Sequence, residues 1–348
     1  MKARRLVAIR LPGGLAWRID SRVPALALVL AVLLCAASLA GLLQGEFATA
    51  PGTVLRILAG MAGAGDEAAF VVREFRLPRV LLAILVGAAL ALSGALMQSL
   101  TRNPLADPGI IGINGGAALA AVAIIVLVRD APAWVLPAAA FGGAIATAIF
   151  IYVFAWRGGI APLRLILVGI GVAALLGSFT ALLTSFGEVT DVQRAFVWLS
   201  GSLYGRGWAE VRLLAAWLLM LAPLAWLMAQ SLDTLTLGDD SAAALGLRLE
   251  LCRGLVIVVS AALAAAAVSA AGTLGFVGLV APHLARRLVG PMHRGLLPAA
   301  ALLGGLLVLL ADLAGRTIVA PAQLPAGLLT AILGAPYFMW LLWTRTNA

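Results

Sequence analysis

The fold class this sequence predicts is an all-α polytopic membrane protein with about ten transmembrane helices. Three observations carry that prediction. Hydrophobic residues fill 63% of the 348 positions and charged ones only 11%, at a mean hydropathy of +1.08; ordinary soluble domains carry roughly 25% charge. About ten apolar runs each approach the ~20 residues with which a helix crosses a ~30 Å hydrocarbon core. The runs are continuous rather than alternating, so their backbones satisfy themselves as helices and not as a barrel.

A basic segment, residues 1–23, precedes the first run at 24–43. The pair has the outline of a secretory signal, with Cys35 in a lipoprotein-like place. The run outlasts a signal's ~7–15 apolar residues and bulky Leu34 precedes the cysteine, so an uncleaved first span is expected. Further spans are expected at 79–99, 111–128, 134–156, 163–185, 208–230, 252–271, 273–289, 296–314 and 325–343; Pro282 and His283 interrupt the eighth. The polar stretches 44–78, 186–207 and 231–251 are too short for a soluble domain, so 24–348 reads as one transmembrane domain. Gly87 and Gly94 share a face of the second span, Gly169, Gly171 and Gly177 lie in the fifth, and Gly272, Gly275 and Gly278 open the eighth. Small residues let helix backbones approach closely in lipid. GTLGFVG at 272–278 lacks the strand and turn of a dinucleotide loop.

Charge and composition exclude several functions. The formal charge of +9 comes from scattered residues with no basic, aromatic-rich cluster, so no nucleic acid is expected as a partner. With a cytoplasmic N-terminus, fifteen of the 24 Lys and Arg fall inside and nine, from Arg56 to Arg316, outside. Both termini are therefore expected in the cytoplasm. Lys2 is the only lysine, so no GxxxxGK[ST] phosphate loop exists and any driving nucleotide binds another polypeptide. Cys35, Cys252, His283 and His293 are isolated along the chain, and neither a metal nor a cofactor is expected. An ion-coupled secondary transporter needs ionisable residues within its spans, and Asp312, four residues before Arg316, is the only acidic candidate. An intramembrane enzyme needs a nucleophile–base pair, for which neither histidine has a partner nearby in sequence.

The segment TRNPLADPGIIGINGG at 101–116 is the most specific in the chain. Pro104 and Pro108 push the residues before them out of the α region, Asn103 and Asp107 can bond backbone amides that a break frees, and Asn114, Gly115 and Gly116 open the next span. Two readings stand: a shaped packing corner, or part of a substrate path. Polar groups in the fifth span (Ser178, Thr180, Thr184) and Gln98 near the end of the second are further path candidates, although Ser and Thr in membrane helices often bond their own backbone.

These segments resemble the FecCD-type permeases of ABC importers, the family of vitamin B12, haem and ferric-siderophore permeases. The resemblance rests on RLPR at 76–79, GAALALSGALMQSLTRNPLADPGIIGINGGAALA at 87–120, WLSGSLYGRGW at 198–208, ALGLRLE at 244–250, GTLGFVGLVAPHLARRLVG at 272–290, ADLAGR at 311–316 and LPAGLLTAILGAPYFMWLL at 324–342. It implies a BtuC-like permease fold in the bacterial inner membrane. It implies as partners a second permease copy or paralogue, two ATP-binding-cassette subunits and a periplasmic or lipid-anchored binding protein, with an iron chelate as cargo. A ferric siderophore is the expected chelate, haem or cobalamin the alternative. Arg76, Arg79 and Arg316 match the arginines that receive the binding protein's carboxylates, while Arg102 belongs to the 101–116 block. They can equally serve as interface anchors, and Arg316 as an i,i+4 partner of Asp312. Gly238, Asp239, Asp240, Ala244, Leu245 and Gly246, in the loop 231–251, match the family's ATPase-coupling helices; a plain solvated loop is the other reading.

Overall fold

The computed structural model describes residues 6–10, 16–20, 22–45, 49–61, 67–109, 112–128, 130–156, 159 and 162–346. Two strands in the basic segment, β1 (Leu6–Arg10) and β2 (Ala16–Asp20), pair antiparallel with Leu6 opposite Asp20. That hairpin is not foreseen by the sequence reading; from Arg22 onward the elements among the described residues are helices. Each of the ten expected spans overlaps a helix: α1 (Arg22–Leu43), α4 (Leu77–Thr101), α5 (Ile113–Leu127), α6 (Val135–Ala155), α7 (Pro162–Phe186), α9 (Trp208–Leu227), α12 (Leu249–Ala271), α13 (Val277–Val289), α14 (His293–Thr317) and α15 (Ala326–Thr346). Between them lie α2 (Pro51–Leu58), α3 (Glu67–Phe70), α8 (Val189–Leu199), α10 (Ala229–Leu235) and α11 (Asp239–Ala244). A π-helical turn, Val71–Arg76, joins α3 to α4 in one 35-residue helix, Glu67–Thr101.

Seven of these helices are long and apolar enough to cross a membrane, and α5 and the apolar part of α15, Ala326–Trp340, are shorter. The expectation of a full eighth span is corrected: α13 has 13 residues, about 20 Å at 1.5 Å per residue. Pro282 sits inside it, and the shortening comes from its start. Gly272 (φ +76°) and Phe276 (φ +67°) hold the intervening residues out of helix. Non-helical backbone at such a place must be buried in protein or line a cavity; here Gly272 and Leu274 are buried while Thr273, Gly275 and Phe276 are half-buried. Ser202 N–H donates to Ala271 O at 2.8 Å, Gly327 N–H to Gly201 O at 2.9 Å, and Thr273 Oγ1 to Leu199 O. The blocks 198–208 and 272–290 therefore complete each other.

Helix α4 lies at the centre, packed on α9, α12, α13 and α14; α5 packs on α6 and α7, α12 reaches across to α6, and α1 and α15 cover α14. Glycine sets the closest approaches. A Cβ on Gly87 would run into the backbone of Gly304, and one on Gly94 into that of Gly278. Midway along α4, Ser93 Oγ donates to Ser260 O at 2.6 Å while Ser260 Oγ returns to Ser93 O at 3.0 Å. Helix α7 behaves differently: it is largely exposed, and nothing lies within 4 Å of a Cβ built on Gly171 or Gly177. For those two, and for Gly275, the expectation of packing glycines is corrected within this chain, because α7 has one covered side only and Gly275 lies in the open break before α13.

Candidate functional sites at opposite ends of the bundle

At the end where α4 begins, α14 finishes. Arg79 Nε lies 3.0 and 3.1 Å from the two oxygens of Asp312 and its Nη2 2.9 Å from Oδ1, a bidentate clamp across two helices. Arg316 Nε forms an ion pair with Asp312 Oδ2 at 3.1 Å, as the i,i+4 spacing allows, and Arg316 Nη1 donates to Gly41 O at 3.2 Å. Asp312 is 1% exposed, so a buried carboxylate serves two guanidiniums. Arg79 also donates to Gln323 Oε1 at 2.7 Å, and Arg76 Nη1 donates to Leu42 O at 2.7 Å and Thr49 Oγ1 at 3.1 Å. The three expected docking arginines are thus brought together, but as the walls of a recess and not as an open patch. Arg76 is 6% exposed.

That recess encloses about 350 Å³, lined by Arg76, Arg79, Arg316, Gln323, Tyr204 and Arg206 among others. Arg206 is the residue that sequence reasoning missed, although it stands inside the WLSGSLYGRGW block. Burial pushes its guanidinium pKa below the usual arginine value, with Glu210 opposing, and its Nε has no hydrogen-bond partner among the described residues. Four guanidiniums line the recess, and Asp312 beneath them is held by two; the arrangement is complementary to an incoming carboxylate.

At the other end, α4 stops where Arg102 takes a left-handed conformation (φ +50°). Asn103 Oδ1 accepts from Leu105 N–H at 3.0 Å and Asp107 Oδ1 from Gly109 N–H at 2.7 Å, the local bonds expected of a break. Pro104 and Pro108 fall in this non-helical stretch, and Asn114, Gly115 and Gly116 form the first turn of α5. Gly116 meets Gly143 and Thr147 of α6, and Asp107 abuts Gly278 at the start of α13. The packing corner accounts for these contacts.

Arg102 does more than cap α4. Its Nε donates to Leu235 O at 2.9 Å and its Nη2 pairs with Asp239, which Arg253 also holds at 2.7 Å. The hydrogen bond from Arg253, then that from Arg102, keeps the Asp239 carboxyl below its ordinary value of 3.8. Gly238 (φ +107°) and Gly246 (φ +82°) bracket α11 in conformations that favour glycine. Asp240, Ala244, Leu245 and Gly246 are exposed, with Leu245 at 68% and Leu237 at 62%, so the loop presents two exposed leucines beside the paired charges of Asp239.

The path candidates scatter. Gln98 is buried, donating to Gly278 O and Leu279 O at 3.3 Å and accepting from Arg286 at 3.0 Å. Ser178, Thr180 and Thr184 bond carbonyls of their own helix, at 3.0, 2.8 and 2.8 Å. His293 is not isolated in space: Nδ1 lies 2.6 Å from Asp233 Oδ1, and Nε2 contacts Ser99 Oγ. No run of sequence announces that trio, because its members come from α4, α10 and α14.

From the arginine recess to the loop, Arg79 and Arg102 are 23 positions apart along α4 and its cap, about 35 Å. The model of the FecCD transport family matches residues 29–344. This chain belongs to the FecCD transport family. The Fe(3+)-citrate import system permease YfmE of Bacillus subtilis (strain 168) is 43% identical to this FecCD chain over 316 residues, 90% of this chain and 93% of its own. The achromobactin transport system permease CbrC of Dickeya dadantii (strain 3937) is 45% identical over 319 residues, covering 91% and 89%. A solved structure described as an inward-facing conformation of a metal-chelate type ABC transporter superposes with TM-score 0.83 at 30% identity, covering 92% of this chain and 99% of its own. The chain is a multi-pass membrane protein with the BtuC-like permease fold expected from the resemblance.

Proposed function

We propose that this chain is the transmembrane permease subunit of an ATP-binding-cassette importer that carries a ferric-siderophore chelate across the bacterial inner membrane. Separate ATPase subunits engage α10 and α11, a periplasmic or lipid-anchored binding protein docks at the arginine recess, and a second permease copy or paralogue completes the path. Both termini then lie in the cytoplasm. The reading is supported above all by one observation: two charged constellations of different design sit at opposite ends of α4, about 35 Å apart and joined by a tightly packed helix pair. The recess offers guanidiniums for carboxylates, and the loop offers Leu237 and Leu245 for a hydrophobic cleft.

The iron-chelate cargo is supported by the relatives, whose names specify ferric citrate and achromobactin transport. The chain supplies no phosphate-loop lysine, so hydrolysis belongs to the partner subunits.

The test is uptake into proteoliposomes holding the permease with and without its ATPase subunits, fed with ferric citrate, a ferric hydroxamate, a ferric catecholate or haem on the binding protein. Concentrative uptake of an iron–siderophore that requires both ATPase and ATP is expected. Uptake by the permease alone on a proton or sodium gradient overturns the ATP-driven reading, and uptake of haem alone overturns the siderophore assignment.

A further inference from the structure

We propose that Asp233, through His293, is the positioning contact by which the loop helix α10 grips α14 and α4, and so links the loop to the arginine recess at the far end. The inference rests on the two ends having the roles given under Proposed function. Asp233 Oδ1 accepts twice from one residue, from the backbone N–H of His293 at 3.0 Å and from its Nδ1 at 2.6 Å. His293 is the first residue of the 25-residue α14, whose own first turn holds no acidic side chain and whose N-cap, Met292, supplies no side-chain bond. A carboxylate is most favourable at that positive end, and here it arrives from another element. The other face of the ring contacts Ser99 Oγ near the end of α4. One carboxylate on α10 is therefore tied to both α14 and α4.

Burial distinguishes this contact from the Arg102–Asp239 tie. The His293 ring is 2% exposed and Asp233 28%, whereas Arg102 and Asp239 are 37% and 46% exposed, so water and salt weaken the latter pair more. Breaking the contact leaves the buried His293 nitrogens unpaired, so it resists separation more than a solvated pair does. Beyond the contact, α4 and α14 are packed together, in close contact where Gly87 meets Gly304 and clamped at the far end by Arg79–Asp312.

The experiment uses the whole transporter, permease with ATPase subunits, and fluorescently labelled binding protein. It measures the factor by which a non-hydrolysable ATP analogue changes binding-protein affinity. By linkage that factor is the coupling between the two ends. For D233A and H293A the factor is expected to fall at least fivefold towards one, with nucleotide-free docking affinity held within twofold. D233N, which keeps an oxygen acceptor for the His293 N–H, is expected to recover part of it. S99A severs only the α4 side and carries the test if the alanine variants at 233 and 293 do not assemble. A coupling factor within twofold of wild type in every variant that assembles, S99A included, overturns the proposal. G238V and R206E locate any failure: if G238V leaves coupling intact the loop has been misassigned, and if R206E leaves docking intact the recess has. Loss in those two with none at 233, 293 and 99 defeats this inference alone.

Discussion

Asp312 shows how a single side chain can make an arginine cluster tenable. Three guanidiniums on neighbouring turns of α3–α4 and α14 repel one another, and burial weakens their solvation. The carboxylate, 1% exposed, offsets both through Arg79 and Arg316. Removing one partner of a buried ion pair costs about 3–5 kcal/mol. We therefore expect D312A to lower the melting temperature of detergent-solubilised permease sharply. A melt indistinguishable from wild type would show that the arginines find other partners. Asp239 is the counterpart at the loop end, half-buried and held by Arg253 and Arg102. Its folded pKa lies below 3.8, so its pairing with Arg253 and Arg102 contributes stability above the unfolded value. That contribution is lost as the pH falls through the depressed folded value. Hydrogen-exchange protection of residues 236–247, corrected for intrinsic rates, should hold from pH 7 to about 5 and decline below about pH 4. D239N should remove that dependence, and an identical decline in D239N rules out Asp239 as its source.

At the scale of helices, small residues place α4. Gly87 touches Gly304 backbone to backbone, so there is no flexible side chain to yield. Overpacking a core costs roughly 1–3 kcal/mol, and G87L should reach or exceed the upper figure in a detergent melt. G171A, on the exposed α7 with nothing within 4 Å, should melt like wild type. Equal melting of both variants would mean that the α4–α14 contact is not what holds the bundle. Gly238 is constrained by conformation and not by space: nothing lies near its Cβ, but φ is +107°. G238V should therefore distort the start of α11 and separate ATP hydrolysis from transport without a large change in melting. Uptake per ATP at the wild-type value would exclude the loop as the coupling element.

These elements also show how far the sequence could be read. Apolar runs located every long helix, because a lipid-crossing helix must be apolar along its whole length. The shortening of α13 escaped, since Gly272 and Phe276 act through backbone angles that hydropathy does not register. Arg76, Arg79 and Arg316 were accessible through resemblance and Asp312–Arg316 through helical spacing, while Arg79–Asp312 joins residues 233 positions apart. Asp233–His293–Ser99 was hidden for the same reason: three helices supply one atom group each.

For the whole molecule, the proposed assignment of docking and coupling to opposite ends makes the two separable by mutation. Charge reversal at Arg79 or Arg316 sets a second carboxylate beside Asp312, so loss of docking there is mixed with loss of fold. Arg206 lines the same recess without touching Asp312, and its Nε is unpartnered among the described residues. R206E therefore isolates the electrostatic part. Replacing attraction by repulsion at a partly desolvated site should weaken binding-protein affinity tenfold or more, about 1.4 kcal/mol. The loss should shrink as salt rises, because screening acts on both the attraction and the repulsion. Co-purification with the ATPase subunits should be unchanged, since α10 and α11 lie at the opposite end of α4. A salt-independent loss would point to distortion of the 198–208 loop, and full-strength docking in R206E, R79E and R316E together would remove the recess from the path by which cargo is delivered.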